Sequence, residues 1–373
     1  MHQMTLFEMN TVEETIDDNT SMDTAVEIDD MNDRLSGNKA MEYMELSRHV
    51  FDKLVRNGTL IQYIDGKKKY YKKSELDTFM LTDEYKKLSV GTVDPRNPLN
   101  DLTGKEWLPE TKSYLYQKGL GASHPDAQIE KLHPAPYSFQ DIGHLIRFFT
   151  KKGMHVLDPF GGVGSTAKAC EVDGRVCISI ELSPKWHELS IQRLETEVGE
   201  GTSSHHVFIN GDACEELLKI PEGTMDFVVT SPPYWGILNK QDQKVIRDRV
   251  ANNLETKYSD DDRDLGNVES YTEFLDILVN KVFLECARTL RVGKYMALVV
   301  SDFRDKSEYI SFHSDLIGML NKKQIPGGGI LTLQGTKILI QNHKSLLPYG
   351  YPFAYVENIH HQYILIFRKE GKC

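Results

Sequence analysis

Short apolar runs recur along the C-terminal two-thirds of the chain, each followed by a stretch with helical spacing. Met154 to Asp158, Val176 to Ile180, Val207 to Ile209, Phe227 to Val229 and Tyr295 to Ser301 read as buried strands. Ile142, Leu145, Ile146 and Phe149 form one stripe of a helix from Phe139 to Thr150, and Pro184 opens another helix at its favoured first position. Two further helices are predicted over Glu269 to Leu290 and Tyr309 to Asn321, and Ile330 to Ile340 and His361 to Phe367 read as two closing strands. Alternating strand and helix predicts an α/β fold built on a doubly wound, mostly parallel sheet.

The N-terminal part has a different rhythm. Ser47 caps a predicted helix to Asn57 with Val50, Phe51 and Leu54 on its apolar side, and Gly58 stops it. Leu60 to Ile64 and Lys69 to Lys72 flank Asp65-Gly66, a hairpin signal, and a further helix runs through Leu76, Phe79 and Met80. Residues 41–88 are therefore expected to form a small α+β module. Helix, hairpin with a basic tip and helix resemble the winged helix of excisionase-type DNA-binding proteins. In that reading Lys67, Lys68, Lys69, Lys72 and Lys73 touch DNA phosphates; a solvated lysine hairpin is the equal alternative.

Residues 89–132 are expected to be irregular, since Pro95, Pro98, Pro109 and Pro125 interrupt any long helix. Trp107 and Tyr114 are costly to leave in water, so this segment should lie over the main domain, residues 133–373. Residues 236–268 are polar and rich in Lys and Arg, and are read as a lid or insert. The stretch 341–358, with His343, Lys344, Tyr349, Tyr351 and Tyr355, is a candidate recognition loop.

The formal charge of −11 at first argues against a nucleic-acid partner. Met1 to Asp33, however, holds ten Asp or Glu and no Lys or Arg, so the remainder carries 44 − 45 = −1. That acidic stretch places residues 1–40 in a disordered tail. The five cysteines form no CxxC pair and stand at no zinc-finger spacing, so reduced thiols and a cytoplasmic location are expected, with no metal. No apolar run approaches the roughly 20 residues needed to span a bilayer, so no membrane is expected.

Two turns carry the chemistry. Pro159-Phe-Gly-Gly-Val-Gly-Ser-Thr166 follows a strand and opens a helix, where glycines admit close backbone approach and the helix N-terminus adds a positive dipole end. It lacks the Gly-Lys-Ser/Thr of a P-loop and the third spaced glycine of the dinucleotide fingerprint. Asp226-Phe-Val-Val-Thr-Ser-Pro-Pro-Tyr-Trp235 is a strand stopped by two prolines, followed by an aromatic ring. A hydroxyl, backbone carbonyls and a ring together suit a planar base bearing an exocyclic amino group.

The motif TSPPYW resembles the catalytic motif of the S-adenosylmethionine-dependent DNA amino-methyltransferases, and DPFGGVGST is similar to that family's cofactor motif. The resemblance spans roughly residues 100 to 370 and implies a Rossmann-like methyltransferase sheet that binds S-adenosylmethionine. It implies cofactor contacts from Asp158, Phe160, Gly162, Gly164, Ser165 and Thr166, with Gly161 in a variable place, Glu181 on the ribose and Asp212 on the adenine. Ser231, Pro232, Pro233 and Tyr234 would be catalytic, with Tyr234 stacking on a flipped base. Ser at the first motif position favours cytosine N4 over adenine N6; an RNA or protein amide methyltransferase is the less favoured class. Double-stranded DNA is the expected partner, a cognate restriction endonuclease a further one, and a monomer the expected state.

Overall fold

The computed structural model describes residues 31–117, 124–134, 137–236, 261–306, 308–341, 344 and 346–371. Most of the expected acidic tail, most of the expected lid and His343 of the candidate recognition loop lie outside the described residues. The chain divides into two compact units, Met1–Ser89 and Val90–Cys373.

In the first unit β1 (Arg34–Leu35), α1 (Gly37–Tyr43), α2 (Arg48–Arg56), β2 (Tyr63–Asp65), β3 (Lys68–Lys72), α3 (Lys73–Met80) and α4 (Asp83–Ser89) follow one another. The strands form an antiparallel sheet in the order β1-β3-β2. Folded structure therefore starts before residue 41, because Leu35 pairs with Tyr71 and α1 buries Ala40. Phe51 meets Tyr71 edge-on at 5.0 Å, and Met44, Leu54, Leu76 and Phe79 close the core. Lys67, Lys68 and Lys69 are exposed at the hairpin tip. Lys72 and Lys73 are not part of that tip: their ammonium groups lie over Tyr63 and Tyr43, at 5.0 and 5.3 Å.

The second unit begins with more order than its prolines predict. Thr103 and Glu106 form a reciprocal capping box at the start of α5 (Gly104–Glu110), and Pro109 is accommodated in its last turn. β4 (Tyr114–Tyr116) then pairs in parallel at the sheet margin. Trp107 packs on Phe148 at 4.9 Å, but Tyr114 stays 42% exposed, meeting Tyr116 edge-on. An edge strand turns every second side chain outward, which the sequence reading did not allow for.

The main sheet is built from β5 (His155–Asp158), β6 (Val176–Glu181), β7 (Val207–Asn210), β8 (Met225–Thr230), β9 (Leu290–Val300), β12 (Lys323–Gln324), β13 (Ile330–Ile340) and β14 (His361–Glu370), after the short pair β10 (Phe303–Asp305) and β11 (Glu308–Ile310). Their order is β12-β13-β14-β9-β8-β5-β6-β7, with β4 beside β13. β5 to β9 run parallel, while β14 is antiparallel to both its neighbours. Tyr309 lies in β11 rather than in a helix, because Phe303 to Asp305 and Glu308 to Ile310 pair as a hairpin. The helix that follows starts only at Phe312.

Helices cover both faces. α6 (Phe139–Phe149), α7 (Ser165–Asp173) and α8 (Pro184–Glu197) bury the face that carries Val156, Phe227 and Val229. The short α9 (Ala213–Glu216), α10 (Tyr271–Ile277), a π-helical stretch Leu278–Phe283, α11 (Leu284–Thr289) and α12 (Phe312–Leu320) cover the face of Leu157, Val228 and Leu298. Alternate residues of β8 thus enter opposite layers, and a strand buried on both faces reads as one continuous apolar run. The predicted stripe of α6 is fully used, with Phe149 stacked on Phe227 at 5.1 Å.

Strand order reverses at β5, since β6 lies on one side and β8 on the other. Such a reversal opens a crevice at the carboxyl ends of the strands, and both turns singled out in the sequence emerge there. Among the described residues no helix is long and apolar enough to cross a membrane.

Candidate active site

Asp158 closes β5 and is fully buried. Its Oδ1 accepts from the Phe160 amide at 3.1 Å and the Thr230 hydroxyl at 2.7 Å; its Oδ2 accepts from Tyr137 at 2.6 Å and Thr166 at 2.5 Å. Burial raises the pKa of this carboxyl, and the hydroxyl donors from Thr166, Tyr137 and Thr230 oppose that shift. Four donors satisfy the group, so it ties β5, β8, α7 and the lead-in to α6 together.

The glycines of the turn answer to different constraints. Gly164, with φ of 75°, caps α7, and a Cβ there would lie 2.9 Å from Cβ of Ser190. Gly162, with φ of 51°, sits against the His133 ring. Gly161, read from the sequence as a variable place, is in fact required: its amide bonds Ile180 at 2.8 Å and a Cβ would fall 2.0 Å from the Ser179 hydroxyl.

Glu181 stands at the tip of β6. Its two oxygens accept from the Gly162 and Ser183 amides, each at 2.8 Å. Burial is the main cause that lifts its pKa to about 7. Asp212 follows β7 and caps α9, accepting from the Cys214 amide at 2.9 Å.

β8 is buried throughout and ends at Thr230, directly before Ser231-Pro-Pro-Tyr234. The Tyr234 hydroxyl accepts from Gln362 Nε2 at 3.1 Å, and its ring meets Phe303 and Phe312 edge-on at 6.4 Å each. Burial raises the pKa of this phenol, which keeps the ring neutral. Trp235 Nε1 donates to the Val268 carbonyl at 2.8 Å, pinning the end of the motif to the last residue of the stretch read as an insert.

One crevice, partly open to solvent, joins these parts. Phe160, Gly162, Glu181, Asp212 and Ser231 to Tyr234 all line it. Asp158, Gly164, Ser165 and Thr166, assigned to cofactor contact from the sequence, do not line it. Asp158 and Thr166 bond each other, the Ser165 hydroxyl accepts from Arg193 at 3.0 Å, and Gly164 packs against Ser190. These residues shape the turn from behind.

The sequence reading missed Trp186, Asp264 and Leu265 in the lining. Trp186 lies one turn into α8, where an apolar residue reads as core, and the other two fall in the stretch taken as a polar lid. Among the described residues no group of three His, Cys, Asp or Glu is arranged to hold a metal ion.

The lining is acceptor-rich. Glu181, Asp212 and Asp264 bring three carboxyl groups, while Arg263, the one basic side chain besides His133 among the described lining residues, is already paired with Asp261 at 2.7 Å. Such walls disfavour a phosphate-bearing ligand and suit one that offers hydroxyl and amino donors and positive charge. S-adenosylmethionine fits: it brings ribose hydroxyls, an adenine amino group, an ammonium and a sulfonium, with Phe160, Trp186 and Leu265 as apolar surface.

A reversed parallel sheet with both turns in one switch-point crevice defines a methyltransferase-type α/β domain. Residues 26–192 match the family model described as DNA methylase. Over that stretch, a little under half of its length, the chain is similar to this family. Among curated relatives it is 35% identical over 65 residues to the type II methyltransferase M.Cfr9I of Citrobacter freundii, covering 17% of this chain and 22% of that one. It is 32% identical over 105 residues to the type II methyltransferase M.BglI of Bacillus subtilis, covering 28% of each. The matches thus span about a quarter of each relative's length. Among solved structures, TTHA0409 of Thermus thermophilus complexed with S-adenosyl-L-methionine is 28% identical, covering 44% of this chain and 55% of that chain, with a TM-score of 0.29.

Proposed function

We propose that this protein is a site-specific DNA methyltransferase that uses S-adenosylmethionine to methylate the exocyclic amino group of a flipped base, with cytosine N4 favoured over adenine N6. The observation that carries the reading is that Gly162 and Glu181 share one cavity with Ser231, Pro232 and Tyr234. The donor supplies an electrophilic methyl group on a sulfonium sulfur.

Glu181 accepts the ribose hydroxyls and Asp212 the adenine amino group, while Gly162 lets the backbone approach closely. Ser231 Oγ and the Pro232 carbonyl accept the two N–H bonds of the target amine. That arrangement favours the pyramidal nitrogen and stabilises the positive charge that develops on it. Tyr234, neutral and held by Gln362, stacks on the base. With the donor held by Glu181, Asp212 and Gly162, the target nitrogen would receive its methyl group beside Ser231 and would then give up one proton through the Ser231 hydroxyl to water. Positioning rather than a strong base supplies most of the acceleration. Extruding the base from a duplex costs a few kcal/mol. Lys67, Lys68 and Lys69 of the N-terminal unit contact DNA phosphates.

Ser at the first motif position supports cytosine. The test is incubation with methyl-labelled S-adenosylmethionine and unmodified duplex DNA, followed by nucleoside mass spectrometry. N4-methylcytosine is expected, and N6-methyladenine would change only the base. No methylated nucleoside across a varied DNA pool, with cofactor bound, would sink the DNA assignment.

A further inference from the structure

The loop between β13 and β14 holds three rings in water. Tyr351, Phe353 and Tyr355 are 80%, 92% and 85% exposed. Each ring forgoes burial that ordinarily stabilises a fold, so three side by side form a patch that a monomer rarely keeps without use.

The loop is not a slack connection. Asn358 clamps its stem, accepting from the Leu347 amide at 2.9 Å and donating to the Leu347 carbonyl at 2.8 Å. The Phe353 and Ala354 amides both donate to the Gly350 carbonyl at 2.7 Å, closing a tight turn. Gly350, with φ of 74°, is required in that turn, since a Cβ would lie 2.3 Å from the Ala354 carbonyl oxygen. The backbone therefore sets the rings outward before any partner arrives.

Its roots reach the catalytic turn. β13 ends at Ile340 beside His361, and Tyr363 pairs with Val300, so both stems leave the sheet at the edge where Ser231 emerges. Gln341 Nε2 donates to Gln362 Oε1 at 3.2 Å and to Gln117 Oε1 at 2.9 Å, and Gln362 Nε2 donates to the Tyr234 hydroxyl. Two side-chain amides thus link the root of the loop to the ring that would stack on the target base.

A base drawn out of a duplex leaves exposed base faces beside the gap. Flat apolar side chains satisfy those faces, whichever base they belong to. We infer that the loop carrying Tyr351, Phe353 and Tyr355 is a wedge that stacks on the bases of duplex DNA flanking the extruded base, an inference that rests on the DNA amino-methyltransferase reading above.

The test compares wild type with Tyr351→Ala/Phe353→Ala/Tyr355→Ala and with the ring-conserving Tyr351→Phe/Tyr355→Phe. Each is assayed for methyl transfer to unmethylated duplex DNA, for S-adenosylmethionine affinity and for sedimentation. The triple variant should raise KM for DNA about tenfold or more, the size of one lost stacking contact. Its cofactor affinity should stay unchanged, and the ring-conserving variant should match wild type. An unchanged KM and kcat in the triple variant would overturn the inference. So would a wild-type dimer that the triple variant dissolves, which would assign the patch to a second copy of the chain. Failure of the wild-type protein itself to methylate DNA is a separate result, and it would remove the reading on which the inference stands.

Discussion

Thr230 donates its hydroxyl to Asp158 at 2.7 Å, joining the last residue before the Ser-Pro-Pro-Tyr turn to the last residue of the strand before the glycine turn. The two turns lie 72 residues apart in sequence, and this bond fixes the tip of one to the tip of the other. Asp158 belongs to the frame that holds the glycine turn and the Ser-Pro-Pro-Tyr turn in register.

Thr230→Val should therefore cost about 1.5–3 kcal/mol, the range for a hydrogen bond to a charged group. Asp158→Ala should cost more, because it removes the shared acceptor of the Tyr137, Thr166 and Thr230 hydroxyls and of the Phe160 amide in a dry core. Denaturant unfolding of both variants checks the order of the two effects.

Gly164→Ala should destabilise the protein by about 1–3 kcal/mol, since the new side chain is held at positive φ and driven into α8 at Ser190. Thermal unfolding reads the effect. Gly58→Ala is the control: it has positive φ but nothing within 4 Å, so it should cost only the backbone strain.

Glu181 makes a pH prediction. Its carboxyl is raised from 4.5 to about 7 by burial, so between those values the folded state holds a proton that the unfolded state has lost. Its contribution to stability is thus most favourable below the unfolded value and is lost as pH rises through about 7. Cofactor binding should run the other way, because the ionised carboxylate is the better acceptor for hydroxyl donors. Affinity for S-adenosylmethionine should rise from about pH 6 to about pH 8.5, and Glu181→Gln should flatten the profile and weaken binding. Calorimetry across that range decides it; a pH profile unaffected by Glu181→Gln would contradict the assigned role.

The hairpin tip can be tested by salt. Lys67→Ala/Lys68→Ala/Lys69→Ala should weaken duplex binding at low ionic strength and reduce the slope of log K against log salt by up to about 3. Cofactor affinity should not change. A slope equal to that of wild type in a fluorescence anisotropy titration would leave the tip a solvated hairpin.

The sheet and both turns were legible because their signals are local. Phe227-Val-Val229 must be a buried strand, two prolines must end it, and a glycine turn between strand and helix is a local steric demand. What escaped was set by tertiary pairing. β4 exists because Tyr114 to Tyr116 find the open edge of β13, and Tyr309 is a strand residue because Phe303 to Asp305 lie opposite it. Gln362 carries no sequence signal, yet two closing strands bring it to Tyr234. Asp158, Ser165 and Thr166 sit in the cofactor motif but face the core, a direction that motif spacing does not encode.

The most direct test pairs two readouts on one sample: Ser231→Ala/Tyr234→Ala, assayed by calorimetry with S-adenosylmethionine and by single-turnover transfer of a labelled methyl group to duplex DNA. The proposal predicts cofactor affinity close to wild type and transfer abolished, because the two substitutions change side chains that line the same crevice but leave Gly162 and Glu181 untouched. Transfer at the wild-type rate would contradict the claim that the Ser-Pro-Pro-Tyr turn is where the methyl group is received.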